Sequence, residues 1–470
     1  MQPIWLVFKT ILVEVNDMYD RVKIKVEQSS KANITISTQL AENLNIGKRK
    51  WGFVSFGAKK LFADILISEE LEYDDIVLSK KLADQLFIPS YPTYEVKVKG
   101  AEIILGPCIG ILACQKNKDL SKRMLKEIAL NVIDYGRING AIITFSLDKV
   151  NKDNNTIEGY CYNPEKDTWD KGTFPYPLSI YRKSKLSRQW ENHFLTFIGD
   201  STFNNYNFDK WDTYKWFSKE VDIIDHIPRT IVYENKEDLF QMIENYQNIY
   251  AKPIGGMKGF GVIKINKEGE KIRFRYKKDD SNEDRLLEEG EELYREIDNL
   301  LRPGEFIIQQ GIDLIKYDGG LVDFRCVMQK DESKKWQCSS MITRVGAKDS
   351  VVSNISSGGA AMPAMDLIKD VIASSHTEAF IFKERLISLC VKVCETLDQY
   401  GFNFGTLGLD LGVDTNKDIW LIEVNNRRPH PGIALRASDI QAYYNILSGP
   451  LRYGKALAGF GSEEEDKNAL

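Results

Sequence analysis

The segment 406–425 constrains the fold of this chain more than any other, because it has the pattern of a β-hairpin with two carboxylates set opposite each other. Folding the segment about Asn416-Lys417 pairs Asp410 with Glu423. Side chains alternate between the faces of a strand, so one face of this hairpin is apolar and the other polar. The predicted apolar face carries Leu409, Leu411 and Val413 on one strand and Trp420, Ile422 and Val424 on the other. Only that face is suited to a hydrophobic core.

The polar face of the hairpin has the composition of a metal site. Directly opposed side chains lie about 4.5–5.5 Å apart at Cβ, where two carboxylates repel each other. A cation between Asp410 and Glu423 would remove this repulsion, and Asn425 adds an amide oxygen on the same face. Two carboxylates and an amide oxygen suit Mg²⁺ or Mn²⁺. The alternative is a solvated polar face on which the charges meet by accident.

Composition excludes several classes of protein. A chain of 470 residues and 53.8 kDa predicts two to four domains. With 63 basic and 68 acidic residues interleaved, we expect no nucleic-acid partner. No segment has the length of a membrane span and the apolar run at the start is too short for a signal peptide, which predicts a cytosolic protein. Seven cysteines without zinc spacing, four histidines and no GxSxG motif argue against histidine-based hydrolase chemistry.

A weak repeat is visible near the N-terminus, where the segment 36–46 matches the segment 78–88. Each copy contains a serine, Ser37 or Ser79, that is the predicted N-cap of a short helix, and each is followed by an alternating strand. One copy alone could not cover its apolar face, so the two copies predict an interlocked β-barrel of about 105 residues. Chance similarity of two amphipathic segments is the alternative.

The rest of the chain mixes helices and strands. An apolar strand over 103–113, a helical stretch over 120–135 and a strand over 140–145 predict a strand-helix-strand unit with a parallel sheet. A further boundary is expected near residue 200, followed by an α+β region to about residue 446. The acidic end of the chain is predicted to be disordered.

Lys252 stands at the end of a predicted strand, directly before a glycine-rich loop. The glycines of this loop are Gly255, Gly256, Gly259 and Gly261. Glycines let the backbone approach an anion and present its N–H groups, and the lysine supplies positive charge for phosphate oxygens. The residues after the loop alternate as a strand, whereas Walker and Rossmann loops are followed by a helix. A glycine-rich turn without a ligand is the alternative.

Lys252 with its glycine loop, followed by Asp410, Glu423 and Asn425, resembles the ATP-grasp fold. The wider chain is similar to the YheC/YheD group of endospore coat-associated proteins. The segments that carry this similarity are 105–112, 208–211, 227–230, 306–312, 322–325 and 354–359. The resemblance implies an α+β multidomain chain. Its expected parts are a β-rich pseudo-twofold repeat domain (1–105), a small α/β pre-grasp domain (106–200), an ATP-grasp domain (201–460) and a disordered acidic tail (461–470).

The resemblance implies an ATP site with Mg²⁺ or Mn²⁺ as cofactor. Lys210 and Lys252 match the two lysines that contact phosphates, although Lys215 competes with Lys210 for its place. The hinge strand on which adenine lies is expected at Gln309, Gln310 and Ile312. The four glycines of the loop are expected to bind the phosphates of the same nucleotide. Many relatives carry acidic residues at this hinge, and glutamine keeps their hydrogen-bonding capacity without the charge.

The same resemblance implies a catalytic set of Arg325, Arg344 and Asn354. The two arginines are expected to face the reacting phosphate or a carboxylate, with ordinary salt bridges as the alternative. Asn354 is expected beside the transferring phosphoryl group, with a plain loop as the alternative.

The function implied is an ATP- and Mg²⁺-dependent carboxylate-amine ligase that acts through an acyl phosphate and is associated with the spore coat. Its partners would be ATP, an unidentified carboxylate and an amine acceptor, less often a thiol. One alternative is a structural spore-coat or partner-binding protein that keeps the ATP-grasp fold. Another is a phosphotransferase that uses the same site on a hydroxyl acceptor.

Overall fold

The structure, a computed structural model, describes residues 20–256, 260–278, 281–348, 359–426 and 429–461. The chain divides into two units, one formed by Met1–Phe203 with Leu451–Leu470 and the other by Asn204–Pro450. None of the described helices combines the length and the apolar character that a membrane crossing requires. Of the acidic tail predicted over 461–470, only Gly461 belongs to the described residues.

The first unit contains a closed barrel of seven strands in the order β1-β5-β2-β4-β3-β7-β6, in which β6 pairs back with β1. The strands are β1 (Asp20–Glu27), β2 (Asn33–Ser37), β3 (Trp51–Phe56), β4 (Lys59–Ser68), β5 (Asp75–Ser79), β6 (Thr93–Lys99) and β7 (Glu102–Gly106). Helices α1 (Thr38–Asn43) and α2 (Lys80–Leu86) follow β2 and β5. The predicted serine caps are confirmed, because Ser37 and Ser79 each accept a hydrogen bond from a backbone N–H in the first turn.

The same unit contains a six-stranded sheet in the order β11-β10-β9-β8-β12-β13. Its strands are β8 (Cys108–Cys114), β9 (Ala141–Asn151), β10 (Thr156–Asn163), β11 (Thr168–Pro175), β12 (Ser179–Arg182) and β13 (Thr202–Phe203). Its helices are α3 (Lys122–Ala129), α4 (Tyr135–Ile138) and α5 (Arg188–Ile198). The parallel pairing predicted for this region is confirmed between β8 and β9.

One strand prediction in this unit is wrong. The apolar run 103–113 forms two strands instead of one, because it is divided at Pro107 between β7 of the barrel and β8 of the sheet. Proline has no N–H to donate to a ladder, so it stands naturally where a chain leaves one sheet and enters another. The division of this unit into two domains at residue 105 stays a prediction.

The second unit contains two sheets. The first has the order β14-β19-β15-β16-β17-β18. Its strands are β14 (Thr230–Val232), β15 (Asn248–Pro253), β16 (Ile263–Glu268), β17 (Lys271–Lys278), β18 (Ser281–Glu288) and β19 (Phe306–Gln310). Its helices are α6 (Lys210–Phe217), α7 (Lys236–Tyr246) and α8 (Glu291–Leu300). The predicted order of strand, glycine loop and strand is confirmed, because β15 and β16 flank the loop and pair antiparallel.

The second sheet of this unit has the order β23-β22-β21-β24-β25, and β20 pairs with β21. Its strands are β20 (Lys316–Tyr317), β21 (Gly320–Lys330), β22 (Trp336–Val345), β23 (Ala360–Pro363), β24 (Thr406–Val413) and β25 (Ile419–Asn425). Helices α9 (Ala364–Leu367), α10 (His376–Gln399), α11 (Gly432–Arg436) and α12 (Ile440–Lys455) follow in chain order, and α12 contributes residues to both units. The buried stripe of α10 joins this sheet in one hydrophobic core.

The predicted hairpin is confirmed in β24 and β25, where Asp410 pairs with Glu423. Its turn is held by the side chain of Asp414, which accepts hydrogen bonds of 2.9 Å from the backbone N–H groups of Asn416 and Asp418. Lys417 adopts a positive φ of 68° in this turn.

The register of the hairpin shifts by one residue beyond Asp410, because a β-bulge at Ile422 makes Leu411 pair with Leu421. The apolar face predicted for β25 is therefore wrong at two positions. Ile419 and Leu421 lie in the core in place of Trp420 and Ile422. Gly412 makes room for two side chains here, because a Cβ atom there would lie only 2.5 Å from Leu314 and 3.2 Å from Ile422.

Phe324 lies on β21, fully buried in the core beneath α10. We expect Phe324→Ala to lower the free energy of unfolding by about 3–5 kcal/mol, because the substitution leaves a cavity that the close-packed core cannot fill. Urea denaturation followed by circular dichroism measures this change. The matched control is Phe380→Ala, at a side chain that is 57% exposed, which should change the free energy by less than about 0.5 kcal/mol. Equal effects of both substitutions would contradict the assigned core.

Candidate active site

The second unit contains a cavity of about 430 Å³, lined by residues of both its sheets and of α6. This volume lies within the range of small-molecule sites. The predicted site residues that line it are Lys210, Lys252, Gly255, Gly256, Gln309, Gln310, Ile312, Arg344, Asp410, Glu423 and Asn425. Arg325 lies directly behind this lining, against Asp410. The predictions for Gly259 and Asn354 lie outside the described residues.

The glycine loop is held by Lys210, the first residue of α6. Its Nζ donates hydrogen bonds of 3.2 Å to the carbonyl of Pro253 and 2.6 Å to that of Gly256. Gly261 has a φ of +73°, and a Cβ atom there would come within 2.8 Å of Pro253, so glycine is required. Lys215 is exposed and pairs with Asp212 at 3.0 Å, so it does not compete for the place of Lys210.

Lys252 extends from the end of β15 into the cavity and is oriented by Gln309 on the neighbouring strand β19. The Nζ of Lys252 donates to the Oε1 of Gln309 at 2.5 Å, and the Nε2 of Gln309 donates to Thr230 at 3.0 Å. Burial lowers the pKa of Lys252 to about 8; the carboxylate of Glu423 opposes this shift and the charge of Lys210 adds to it. Lys252 is therefore a desolvated ammonium group that a phosphate would bind strongly.

The side chain of Gln310 is also engaged within the protein, because its Oε1 accepts a hydrogen bond of 3.1 Å from the backbone N–H of Arg229. Beyond it, Ile312 and Leu314 give this end of the cavity an apolar surface, together with Tyr250. Tyr250 was missed in the sequence, although its position two residues before Lys252 on one strand places both side chains on the same face. Leu314 had no comparable signal.

Four charged side chains on three adjacent strands lie on the opposite wall of the cavity or directly behind it. Asp410 on β24 faces Arg325 on β21, whose guanidinium binds both carboxylate oxygens, with Nη2 at 2.8 Å from Oδ2. Arg344 on β22 donates to the same Oδ2 at 2.9 Å and binds both oxygens of Asp323 at 2.6 Å. The sequence missed Asp323, although it lies two residues before Arg325 and so shares its face.

These contacts separate the pKa values of the two opposed carboxylates. Burial would raise the pKa of Asp410, but the charges of Arg325 and Arg344 outweigh it and lower the pKa to about 2. Burial and the charge of Asp410 raise the pKa of Glu423 above its usual value, against the opposing effect of Lys210. The salt bridges that the sequence left as an alternative role for the arginines are thus present.

The residues at the hairpin fit a hard divalent cation. No cluster of three or more His, Cys, Asp or Glu side chains among the described residues could hold a metal ion, so a site here depends on the amide of Asn425 as a third ligand. The Nδ2 of Asn425 points at Asp410 at 3.4 Å. No group in the described parts of the chain donates a hydrogen bond to the half-buried carboxylate of Glu423, which a cation would satisfy.

Comparison with known proteins places this site in a family context. The family model described as YheC/D like ATP-grasp matches residues 199–457. The endospore coat-associated protein YheD of Bacillus subtilis (strain 168) is 23% identical over 390 residues, which cover 79% of this chain and 83% of that protein. The endospore coat-associated protein YheC of the same organism is 22% identical over 358 residues, or 73% and 94% of the two chains.

A search of solved structures finds N5-carboxyaminoimidazole ribonucleotide synthetase from Thermotoga maritima among the similar chains. The superposition covers 73% of this chain and 75% of that one, with a TM-score of 0.42 and 11% sequence identity.

The two opposed carboxylates should respond differently to neutralisation. Asp410→Asn should lower the free energy of unfolding at pH 7 by about 3–5 kcal/mol, because it removes the buried charge that Arg325 and Arg344 share. The pKa of Asp410 is depressed to about 2, so its contribution is present above its usual pKa and is lost as the pH falls through 2. The deficit of the variant should therefore shrink in acid. Denaturation at several pH values measures it.

Glu423→Gln is the matched control, because the raised pKa of Glu423 means that its ionised form is disfavoured in the fold. That substitution should leave the free energy of unfolding at pH 7 unchanged or increase it. A loss of stability equal to that of Asp410→Asn would contradict the assigned environments.

Proposed function

The chain belongs to the YheC/D-like ATP-grasp family, and from this premise we propose that it is an ATP- and Mg²⁺-dependent ligase. Its reaction would activate a carboxylate as an acyl phosphate and join it to an amine. The observation that carries this proposal is that one cavity brings two half-buried lysines and the glycine loop opposite Asp410, Glu423 and Asn425. A triphosphate and a divalent cation are the ligands that satisfy both walls.

ATP would bind with its adenine at the apolar end of the cavity, beside Ile312 and Tyr250, and with its phosphates under the glycine loop. Backbone groups of the hinge after β19 would read the adenine edge, since the side chains of Gln309 and Gln310 are engaged within the protein. Lys252 would contact phosphate oxygens directly. Lys210 would act mainly by holding the turn closed over them.

Glu423, Asn425 and the remaining acceptor capacity of Asp410 would hold Mg²⁺. When bound, the ion would neutralise negative charge on the β and γ phosphates. Arg344 lines the cavity close to Asp410 and would stabilise charge that develops on the transferring phosphoryl group.

The reaction needs no nucleophile from the protein. A carboxylate oxygen of the substrate acid attacks the γ phosphorus while the bond to the bridging oxygen breaks, which releases ADP and leaves an acyl phosphate. The amine then attacks the acyl carbon, and the bond between this carbon and the phosphate oxygen breaks. Phosphate leaves with the electron pair of that bond, and the amine nitrogen loses a proton. The task of the site is to position these groups and to balance their charge, for which buried lysines and arginines suffice.

The location that we propose is the cytoplasm, with association to the spore coat. The association with the spore coat rests on the names of YheD and YheC as endospore coat-associated proteins, and the cytoplasmic location rests on the sequence.

The test is incubation of the purified protein with ATP, Mg²⁺ and fractionated extracts of sporulating cells. We expect ADP, phosphate and a new amide mass with the wild type, and none of them with Glu423→Gln, because that variant lacks a ligand carboxylate without losing its fold. A phosphorylated hydroxyl product without an amide would establish the phosphotransferase instead. If calorimetry detects no nucleotide binding, the result would support the alternative of a structural or partner-binding protein.

The affinity for nucleotide should depend on pH through Lys252. Its pKa of about 8 in the free protein means that the ammonium form becomes scarce above pH 8. We expect the dissociation constant of MgADP to be constant near pH 7 and to rise about tenfold per pH unit above 8, because the phosphates bind the charged form. Lys252→Arg keeps its charge throughout this range and should abolish the dependence. The same slope in both proteins would exclude Lys252 as its cause.

A further inference from the structure

We propose that Arg325 competes with the metal ion for Asp410 and moves toward the phosphates when the ion binds, while Arg344 stays in place. This inference rests on the proposed function, because it concerns the metal site assigned there. It makes Arg325 a group whose position reports whether the ion is bound, and it gives the two arginines different roles.

The first observation is the occupancy of Asp410, whose side chain is only 5% exposed. Its Oδ2 accepts from the Nη2 of Arg325 at 2.8 Å, from Arg344 at 2.9 Å and from Asn425 at 3.4 Å. Its Oδ1 accepts from the Nε of Arg325. A carboxylate offers about four lone-pair positions, so little acceptor capacity remains for a further ligand.

The second observation is an asymmetry between the two arginines. Arg344 has a carboxylate of its own, because both of its contacts to Asp323 are 2.6 Å long and both side chains are buried. Within the described residues, Arg325 forms an ion pair with Asp410 alone. Separation from Asp410 would therefore leave Arg344 anchored by Asp323. Arg325 would keep only the nearby charge of Glu423, a carboxylate that the ion also binds.

A cation at Asp410 creates that separation. Mg²⁺ binds carboxylate oxygens at about 2.0–2.1 Å with a strict geometry, and it repels a guanidinium bound to the same oxygens. Gly408 on the neighbouring strand presents no side chain to Arg325, and even a Cβ atom there would make only ordinary contacts, the nearest at 3.5 Å from Pro429. A Cβ atom built on Gly408 would lie 3.7 Å from the Cδ of Arg325 and 3.6 Å from the Cβ of Asn425.

The displaced guanidinium would find the phosphates as its nearest unneutralised anions. Arg325 would then reach the transferring phosphoryl group only in the metal-loaded site, where its charge is needed. Without the ion it stays paired and does not attract a bare phosphate into the cavity. The consequence is that the cation and Arg325 act together on the phosphoryl group.

The test is the affinity for Mn²⁺ without nucleotide, measured by electron paramagnetic resonance on the full chain. Arg325→Gln removes the competing positive charge but leaves Arg344 on Asp410, so we expect Mn²⁺ to bind at least about tenfold more tightly than to the wild type. Arg325→Lys, which can bind Asp410 at one point only, should give an intermediate affinity and serves if the glutamine variant does not fold. Measurable Mn²⁺ binding that is unchanged or weaker than that of the wild type in either folded variant would overturn the inference.

Selective modification supplies a second readout. Phenylglyoxal reacts with exposed guanidinium groups, and mass spectrometry locates the modified residue. We expect Mn²⁺ to increase the modification of Arg325 several-fold and to leave Arg344 unchanged, since Asp323 retains it. Equal or lower modification of Arg325 would overturn the proposed movement. Failure of every variant to bind Mn²⁺ would instead contradict the metal site itself, and with it the proposed function.

Discussion

The buried charge of Asp410 is the constraint on which the candidate site depends. A carboxylate removed from water must be paired, and here the pairing is fixed by strand register, because Arg325 stands directly opposite Asp410 and Asp323 directly opposite Arg344. The other face of the same strands forms the core beneath α10. A slip of one residue in any of these pairings would place the charges in the core, so the arrangement of the site and the packing of the fold specify each other.

The bulge at Ile422 belongs to the same arrangement. On the C-terminal side of the bulge, Glu423 and Asn425 line the cavity; on its N-terminal side, the register shift returns Leu421 and Ile419 to the core. A regular hairpin would have kept the bulky Trp420 on the core side. The irregularity therefore lets one short strand serve a polar site at one end and an apolar core at the other.

Sequence reasoning reached the parts of the structure that depend on local pattern. The pairing of Asp410 with Glu423 and the strands around the glycine loop follow from alternation and turn residues, which act over a few residues. The bulge could not be predicted in this way, because it goes with the packing of Leu314 and Ile422 against Gly412 in three dimensions. The ion-pair partners of Arg325 and Arg344 could not be predicted either. They lie on neighbouring strands that are far apart in sequence, and such neighbours are known only once the strand order of the sheet is known.

The balance of charge in and behind the cavity explains why a nucleotide and a divalent cation would bind there together. Four cations, Lys210, Lys252, Arg325 and Arg344, stand against three carboxylates, Asp323, Asp410 and Glu423. A bare triphosphate would bring a large excess of negative charge beside Glu423, and a lone divalent ion would meet two nearby lysines. Each ligand removes the electrostatic obstacle to the other in a region of low dielectric constant, so their binding should be strongly cooperative. The site is thus matched to a metal-nucleotide complex as a single ligand.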